Sequence, residues 1–257
     1  SSSTLAIDLD ELEKVISENN NISHLAAIHN ETTTGLLNNL DDLGDIARKY
    51  NVEFIVDAMS SYAAIPINMK RQNIDYLCAS SNKNIQGMAG VSFAVCNLRS
   101  LEKVKAIKSR SFYLDLYSQY DNFVKSQQMR FTPPVQTLYA LKQAILEVLD
   151  EGVENRYRRY TDCWEILTNG LRELNIEYLV SDELHSKIIT SVQIPKHVDF
   201  NEMHDYFYEL GFTIYPGKDL KFNTFRIANI GDINSDDIKR FLNLFKLYLH
   251  KTNILRH

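Results

Sequence analysis

The sequence predicts an α/β protein, with a mostly parallel sheet in its first half and a smaller α+β part behind it. Three observations carry that expectation. Short apolar runs in the first half do not alternate with polar residues, as befits strands covered on both faces. Amphipathic helical patterns separate those runs. The runs also end in polar clusters, HNETTTG, DAMSS and SSNKN, and open α/β sheets hold their ligands beyond the carboxyl ends of the strands.

Taken in order, residues 8–19 read as a helix with Leu9, Leu12, Val15 and Ile16 on one stripe. His24–Ile28 (HLAAI) reads as a strand that empties into HNETTTG. Residues 40–50 form a second helix with Leu43, Ile46 and Ala47 inward, and 52–56 a strand that runs into Asp57. Further strands are expected at 74–79, before SSNKN, and at 91–95. Thr132-Pro133-Pro134 opens a long helical stretch, with prolines where a first turn tolerates them. It continues to about Leu174, with a break near Gly152. Strands at 187–194, 212–215 and 225–230 and a helix at 201–210 follow. A closing helix at 235–250 has Ser235 as N-cap and Asp236 and Asp237 in its first turn. The chain thus divides into a large sheet domain (1–131), connecting helices (132–174) and a small α+β domain (175–257). No internal repeat interrupts this order.

With 28 basic and 33 acidic residues the net charge is -5, which argues against a nucleic-acid partner held by bulk electrostatics. No stretch approaches the ~18 apolar residues of a membrane span. Cys78, Cys96 and Cys163 form no CxxC pair; the first two sit in apolar runs and read as buried free thiols in a reducing, cytoplasmic setting. The seven histidines show no metal-ligand spacing, so no metal is expected. The opening Ser-Ser-Ser-Thr, without Met, reads as a processed or truncated start. Glycine is scarce, nine in 257, about half the usual ~7%. Yet Gly35, Gly87, Gly90, Gly217 and Gly231 lie beside polar clusters or near Arg226, where a tight backbone is needed.

Three residues are candidates for chemistry. Lys83, in SSNKNIQGMAG between two apolar strands, either faces solvent or sits in a partly apolar pocket. A pocket would lower its pKa and make it a Schiff-base amine, with Ser80, Ser81 and Asn82 at hand for hydrogen bonds. Asp57, at the end of VEFIVD, either caps the next turn or pairs with a protonated pyridine nitrogen. Arg226 sits in FRIANI, with Ala228 and Ile230 on its own face and Phe225 and Ile227 on the other. A charge there must find an anion, which is either an internal carboxylate or the acid group of a substrate.

HNETTTGLLNNL, VDAMSSYAAIPI, SSNKNIQGMAGVSF, LDLYSQY, RFTPPVQTLYAL, DELHSKIIT, and GFTIYPGK followed by FRIANIGDI together resemble the class V aminotransferases of fold type I. Within these the chain is most similar to the 2-aminoethylphosphonate:pyruvate aminotransferases. The resemblance implies pyridoxal 5'-phosphate held on Lys83, with Asp57 against the pyridine nitrogen. It further implies that Thr32 lies near the ring hydroxyl, that Met59 packs on the ring face, and that Thr132 reaches the cofactor phosphate from a second subunit of a homodimer. Arg226 would grip the acid group of small amine and 2-oxo acid substrates, while Lys83 shuttles the proton. Family members carry roughly a hundred further N-terminal residues, including a Gly-Ser-Gly-Thr-type loop that binds the cofactor phosphate at a helix start. No such string occurs in this chain, so weak or absent cofactor retention and no useful activity are expected of the chain as it stands. Another class V transamination, or a non-catalytic assembly module, are the alternative readings.

Overall fold

Strands whose alternate residues are large and apolar bury one face of a sheet, and two such sheets organise this chain. The computed structural model describes residues 4–218 and 221–252, so the opening serines at 1–3 lie outside the described residues. In the first sheet β1 (His24–Ile28), β2 (Glu53–Asp57) and β3 (Tyr76–Ser80) run parallel and adjacent, and β4 (Ser92–Cys96) returns antiparallel beside β3. The register pairs Ile28 with Asp57 and Asp57 with Cys78, so β1 and β2 end level and β3 runs two residues further in the same direction. That arrangement places the three polar clusters along one edge.

Helix α2 (Leu40–Lys49) covers one face of this sheet. Its Leu40, Leu43 and Ala47 are buried with Phe54, Val56, Leu77 and Ala79. Each large side chain so buried is worth roughly 1.5–3 kcal/mol relative to exposure. The opposite face, with Ile55, Cys78 and Ala94, is only half-buried among the described residues. The expectation of cover on both faces therefore holds for one. The same correction applies to the thiols: Cys78 and Cys96 are half-buried, Cys163 is buried, and all three are free. In α1 (Leu9–Glu18), Ile16 is buried and Leu9 and Leu12 pack half-buried on the same core, while Val15 is 51% exposed, so the expected stripe holds without Val15.

Two helices that the pattern did not announce follow β4: α3 (Leu98–Lys103) and α4 (Leu116–Ser126). Helix α4 buries no residue and so shows no inward stripe to read. The long helical stretch breaks as expected at Gly152, φ +80°, between α5 (Val135–Glu151) and α6 (Val153–Glu173).

The second sheet is antiparallel in the order β5 (Ile189–Gln193), β7 (Thr224–Ala228), β6 (Tyr215–Pro216). Leu167 and Leu171 of α6, Met203 and Phe207 of α7 (Phe200–Glu209), and Phe245 of α8 (Ser235–Lys251) share its core with Phe225. Asn234, not Ser235, caps α8. Its side chain accepts from the Asp236 and Asp237 amides while the Asp237 carboxylate accepts from the Asn234 amide.

The two sheets meet at Gly35. Its φ of +93° suits only glycine, and a Cβ there would lie 2.3 Å from the carbonyl oxygen of Ile189 in β5. The loop after β1 can therefore lie directly on the second sheet, where the Gly35 carbonyl accepts from the Ser186 amide at 2.8 Å. Among the described residues no helix is long and apolar enough to cross a membrane, and no cluster of potential metal ligands occurs.

Candidate active site

The three polar clusters at these strand ends are laced together by neutral side chains. Asn30, just past β1, donates to Ser60 Oγ at 3.0 Å, and Ser60 Oγ donates back to the Asn30 carbonyl at 2.9 Å. Asn84, just past Lys83, donates to the Ser60 carbonyl at 2.9 Å. Below them His29 Nδ1 and Ser61 Oγ lie 2.9 Å apart, and burial drives the His29 pKa down to about 4. Sequence reasoning flagged these clusters but singled out none of Asn30, Ser60, Ser61, His29 or Asn84. The signal was there in HNETTTG, DAMSS and SSNKN, where small polar residues directly follow apolar strands.

On this frame stand Asp57, Lys83, Met59 and Thr32. Asp57 is exposed at the end of β2, and its Oδ1 accepts from the Met59 amide at 2.9 Å, so the turn-capping role is real. Its second oxygen has no cationic partner among the described residues. Lys83 is exposed as well, in the turn after β3, not in the partly apolar pocket that the sequence allowed. Neighbouring groups do not reach its amine: Ser81 Oγ donates to the Met88 carbonyl at 2.5 Å instead, and the Lys83 carbonyl accepts from the Gln86 amide. Met59 and Thr32 are half-buried.

Arg226 is brought to the same edge from the second sheet. It is 9% exposed in β7, and its Nε donates to the Pro216 carbonyl at 3.2 Å. Nη1 donates to the Thr32 carbonyl at 3.3 Å, so the guanidinium touches the loop that follows β1. No carboxylate pairs with it among the described residues. Burial pulls its pKa below the ordinary guanidinium value, against the opposing pull of the Tyr215 phenol across the strand pair. Of the two fates open to a buried arginine, an internal salt bridge is absent here. Thr132 stands apart: it is exposed ahead of α5, and no hydrogen bond joins it to these loops among the described residues.

The edge can therefore hold a ligand with complementary groups. A free amine and a free carboxylate oxygen stand on adjacent loops, and a buried cation waits for an anion. The Asn30 and Asn84 side-chain oxygens are buried without a partner. This edge offers an amine, a carboxylate oxygen and a nearly buried cation to a ligand that carries an acid group.

Comparison with known proteins gives the family. The family model described as Aminotransferase class-V matches residues 2–219. The chain is 40% identical over 250 residues to a bifunctional phosphonoacetaldehyde hydrolase/aminoethylphosphonate transaminase of Clostridioides difficile (strain 630). That match covers 96% of this chain and 39% of the relative. It is 39% identical to a 2-aminoethylphosphonate–pyruvate transaminase of Bacteroides fragilis (strain YCH46), over 95% of this chain and 68% of the relative. Among solved structures, the ureidoglycine-glyoxylate aminotransferase of Bacillus subtilis superposes with a TM-score of 0.87 at 23% identity, over 98% of this chain and 66% of that one. At that identity the likeness speaks for the fold. The chain thus spans from about two fifths to about two thirds of the proteins it matches.

Proposed function

From the premise that the chain belongs to the class-V aminotransferases, we propose that it binds pyridoxal 5'-phosphate on Lys83 and moves the amino group of 2-aminoethylphosphonate to pyruvate. The products are phosphonoacetaldehyde and L-alanine. The observation that carries this reading is Arg226, a nearly buried cation without a carboxylate, touching the Thr32 loop on the same edge as Lys83. A guanidinium held by two carbonyls keeps N–H groups free to grip a phosphonate, and in the second half-reaction the carboxylate of pyruvate.

Bound pyridoxal phosphate supplies a conjugated ring that draws electrons from the amine-bearing carbon of the substrate. The protein's residues do the rest. Asp57 would hold the ring nitrogen with its unused oxygen and favour the protonated form. The Lys83 amine would anchor the coenzyme and, when free, hold or move the proton at the amine-bearing carbon. Met59 would pack on the ring face, and Thr32 would orient the ring hydroxyl. Thr132, remote from these loops, serves the phosphate group of a second copy, so the working unit is a homodimer. Exposed apolar residues on and around α4 and α5, among them Phe112, Tyr113, Phe123, Tyr139 and Leu149, support burial against that copy. Three free thiols suit a reducing, cytoplasmic setting.

The test is borohydride reduction of the protein with pyridoxal phosphate, followed by peptide mass analysis. The coenzyme should be fixed at Lys83 and lost in Lys83→Ala; labelling elsewhere, or none, overturns the assignment. Turnover of aminoethylphosphonate with pyruvate, set against serine with pyruvate or glyoxylate, tests the substrate. Preference for serine would make Arg226 a carboxylate site.

A further inference from the structure

The α5–α6 junction touches both the Lys83 loop and the segment that follows Arg226. Glu151, the last residue of α5, accepts from Arg156 Nε at 2.6 Å and from Arg159 Nε at 2.8 Å. Burial alone would raise the Glu151 pKa, but these two arginines outweigh it and hold the carboxyl below its usual range. Each arginine spends its remaining reach on a different loop. Arg156, 4% exposed, donates through Nη1 to the carbonyl of Asn84, next to Lys83. Arg159 donates through Nη1 to the carbonyls of Gly231 and Ile233, just beyond β7.

Tyr160 repeats the connection with one atom. Its ring is fully buried, and its hydroxyl accepts from Gln86 Nε2 at 3.1 Å and from the Gly231 amide at 3.0 Å. The carbonyl of Tyr160 accepts from Asn229 Nδ2 at 2.7 Å. Gln86 itself sits at φ +66°, a conformation held by its surroundings. Two independent sets of bonds therefore tie residues 84–86 to residues 229–233 through one helix. The bonds at the two arginines are charge-assisted and those at the Tyr160 hydroxyl are part-buried, and linked bonds of this kind hold the segments they join in one arrangement.

We propose that Glu151, Arg156, Arg159 and Tyr160 are positioning residues that make the Lys83 loop and the Arg226 strand one rigid unit, so that the span between amine and anion ends selects substrates by length. This rests on the assignment of Lys83 and Arg226 as the two ends of the substrate site. A fixed span matches one chain length between amine and acid, and a span free to vary accepts homologues. Nothing in the strut touches substrate; it acts through the two loops.

The experiment compares the protein with Tyr160→Phe, which keeps the buried ring, and with Arg159→Lys. Turnover of 2-aminoethylphosphonate and of 3-aminopropylphosphonate gives one readout, and amide hydrogen exchange at 84–88 and 229–233 without any ligand gives the second. The unaltered protein should prefer the shorter amine by roughly 10–200-fold, the range that one methylene supports. In both variants that preference should fall toward parity through a raised KM for the shorter substrate, with kcat little changed. The two segments should exchange in step before substitution and out of step after it. Equal loss on both amines, or two segments that stay in step in both variants, overturns the proposal. If the unaltered protein used neither phosphonate, the substrate assignment would fail by itself, and the exchange result would still decide whether the strut exists.

Discussion

Arg156 at the α5–α6 junction and Arg226 in β7 are both nearly buried, at 4% and 9% exposure, yet they are partnered in opposite ways. Arg156 has a carboxylate and a carbonyl; Arg226 has two carbonyls and no acid. A buried charge that is paired and hydrogen-bonded belongs to the scaffold. One left without an anion, at an edge where other polar groups are also unpaired, points to something that arrives from solution. Burial by itself does not separate the two cases; the partner inventory does.

The largest expected effect tests the scaffold side. Glu151→Ala leaves Arg156 and Arg159 without their shared carboxylate. Removing one partner of a buried pair costs about 3–5 kcal/mol, and because Glu151 is a quarter exposed the lower end applies, about 3 kcal/mol. Urea unfolding measures it. A loss under about 1 kcal/mol would mean that carbonyls alone satisfy a buried arginine, and the missing acid at Arg226 would then lose its meaning.

A pH effect of similar size per residue is expected at two buried histidines. His29 under the first sheet and His185 beside the second are each buried, and burial lowers each pKa from the ordinary 6.5 to about 4. At His185 the Asp182 carboxylate opposes that shift and the Lys187 ammonium adds to it. Both rings stay neutral in the folded state while the unfolded chain takes up protons. Their contribution is therefore complete above pH 6.5 and is lost as pH falls toward about 4. The loss is about 3 kcal/mol per ring on a linkage estimate. His29→Gln or His185→Gln should each flatten the fall in stability between those pH values. The two should act independently, since they lie against different sheets and share no hydrogen-bond partner among the described residues; a double variant no flatter than either single one would show that the two rings are coupled.

Periodicity and strand-end polarity made the order of strands and helices legible, together with the broken long helix and the location of the polar edge. Less legible was whatever depends on partners remote in sequence. The apolar flanks of Lys83 leave both a solvent-facing and a pocket lysine open; those flanks are strands, and the lysine is on the exposed turn between them. Val15 fits a helical stripe, yet α1 lays Leu9, Leu12 and Ile16 on the core and leaves Val15 exposed, so the stripe overstates the contact by one residue. Asn234 lost to Ser235 in the reading because both are good caps one residue apart, and only the backbone geometry separates them. The strut of Glu151, Arg156, Arg159 and Tyr160 was invisible: charged residues at helical spacing look like a solvated face until the loops they grip are in place.

The smallest change in stability is expected at Arg226, and it bears hardest on the comparison. Arg226→Met keeps the unbranched stem of the side chain, removes a charge that has no counter-ion among the described residues and frees two carbonyls that are each bound only weakly, at 3.2 and 3.3 Å. Desolvation of the lost charge and loss of the two bonds nearly offset one another, so stability should move by no more than about 1 kcal/mol in either direction. Binding should change far more. Methylphosphonate at a hundred times its dissociation constant stabilises a folded protein by about 2.7 kcal/mol, and in Arg226→Met that increment should vanish while Arg156→Met retains it. Should Arg226→Met instead unfold the protein as readily as Glu151→Ala, the cation in β7 would be scaffold like its counterpart in α6, and the acid group of the substrate would have to be held elsewhere.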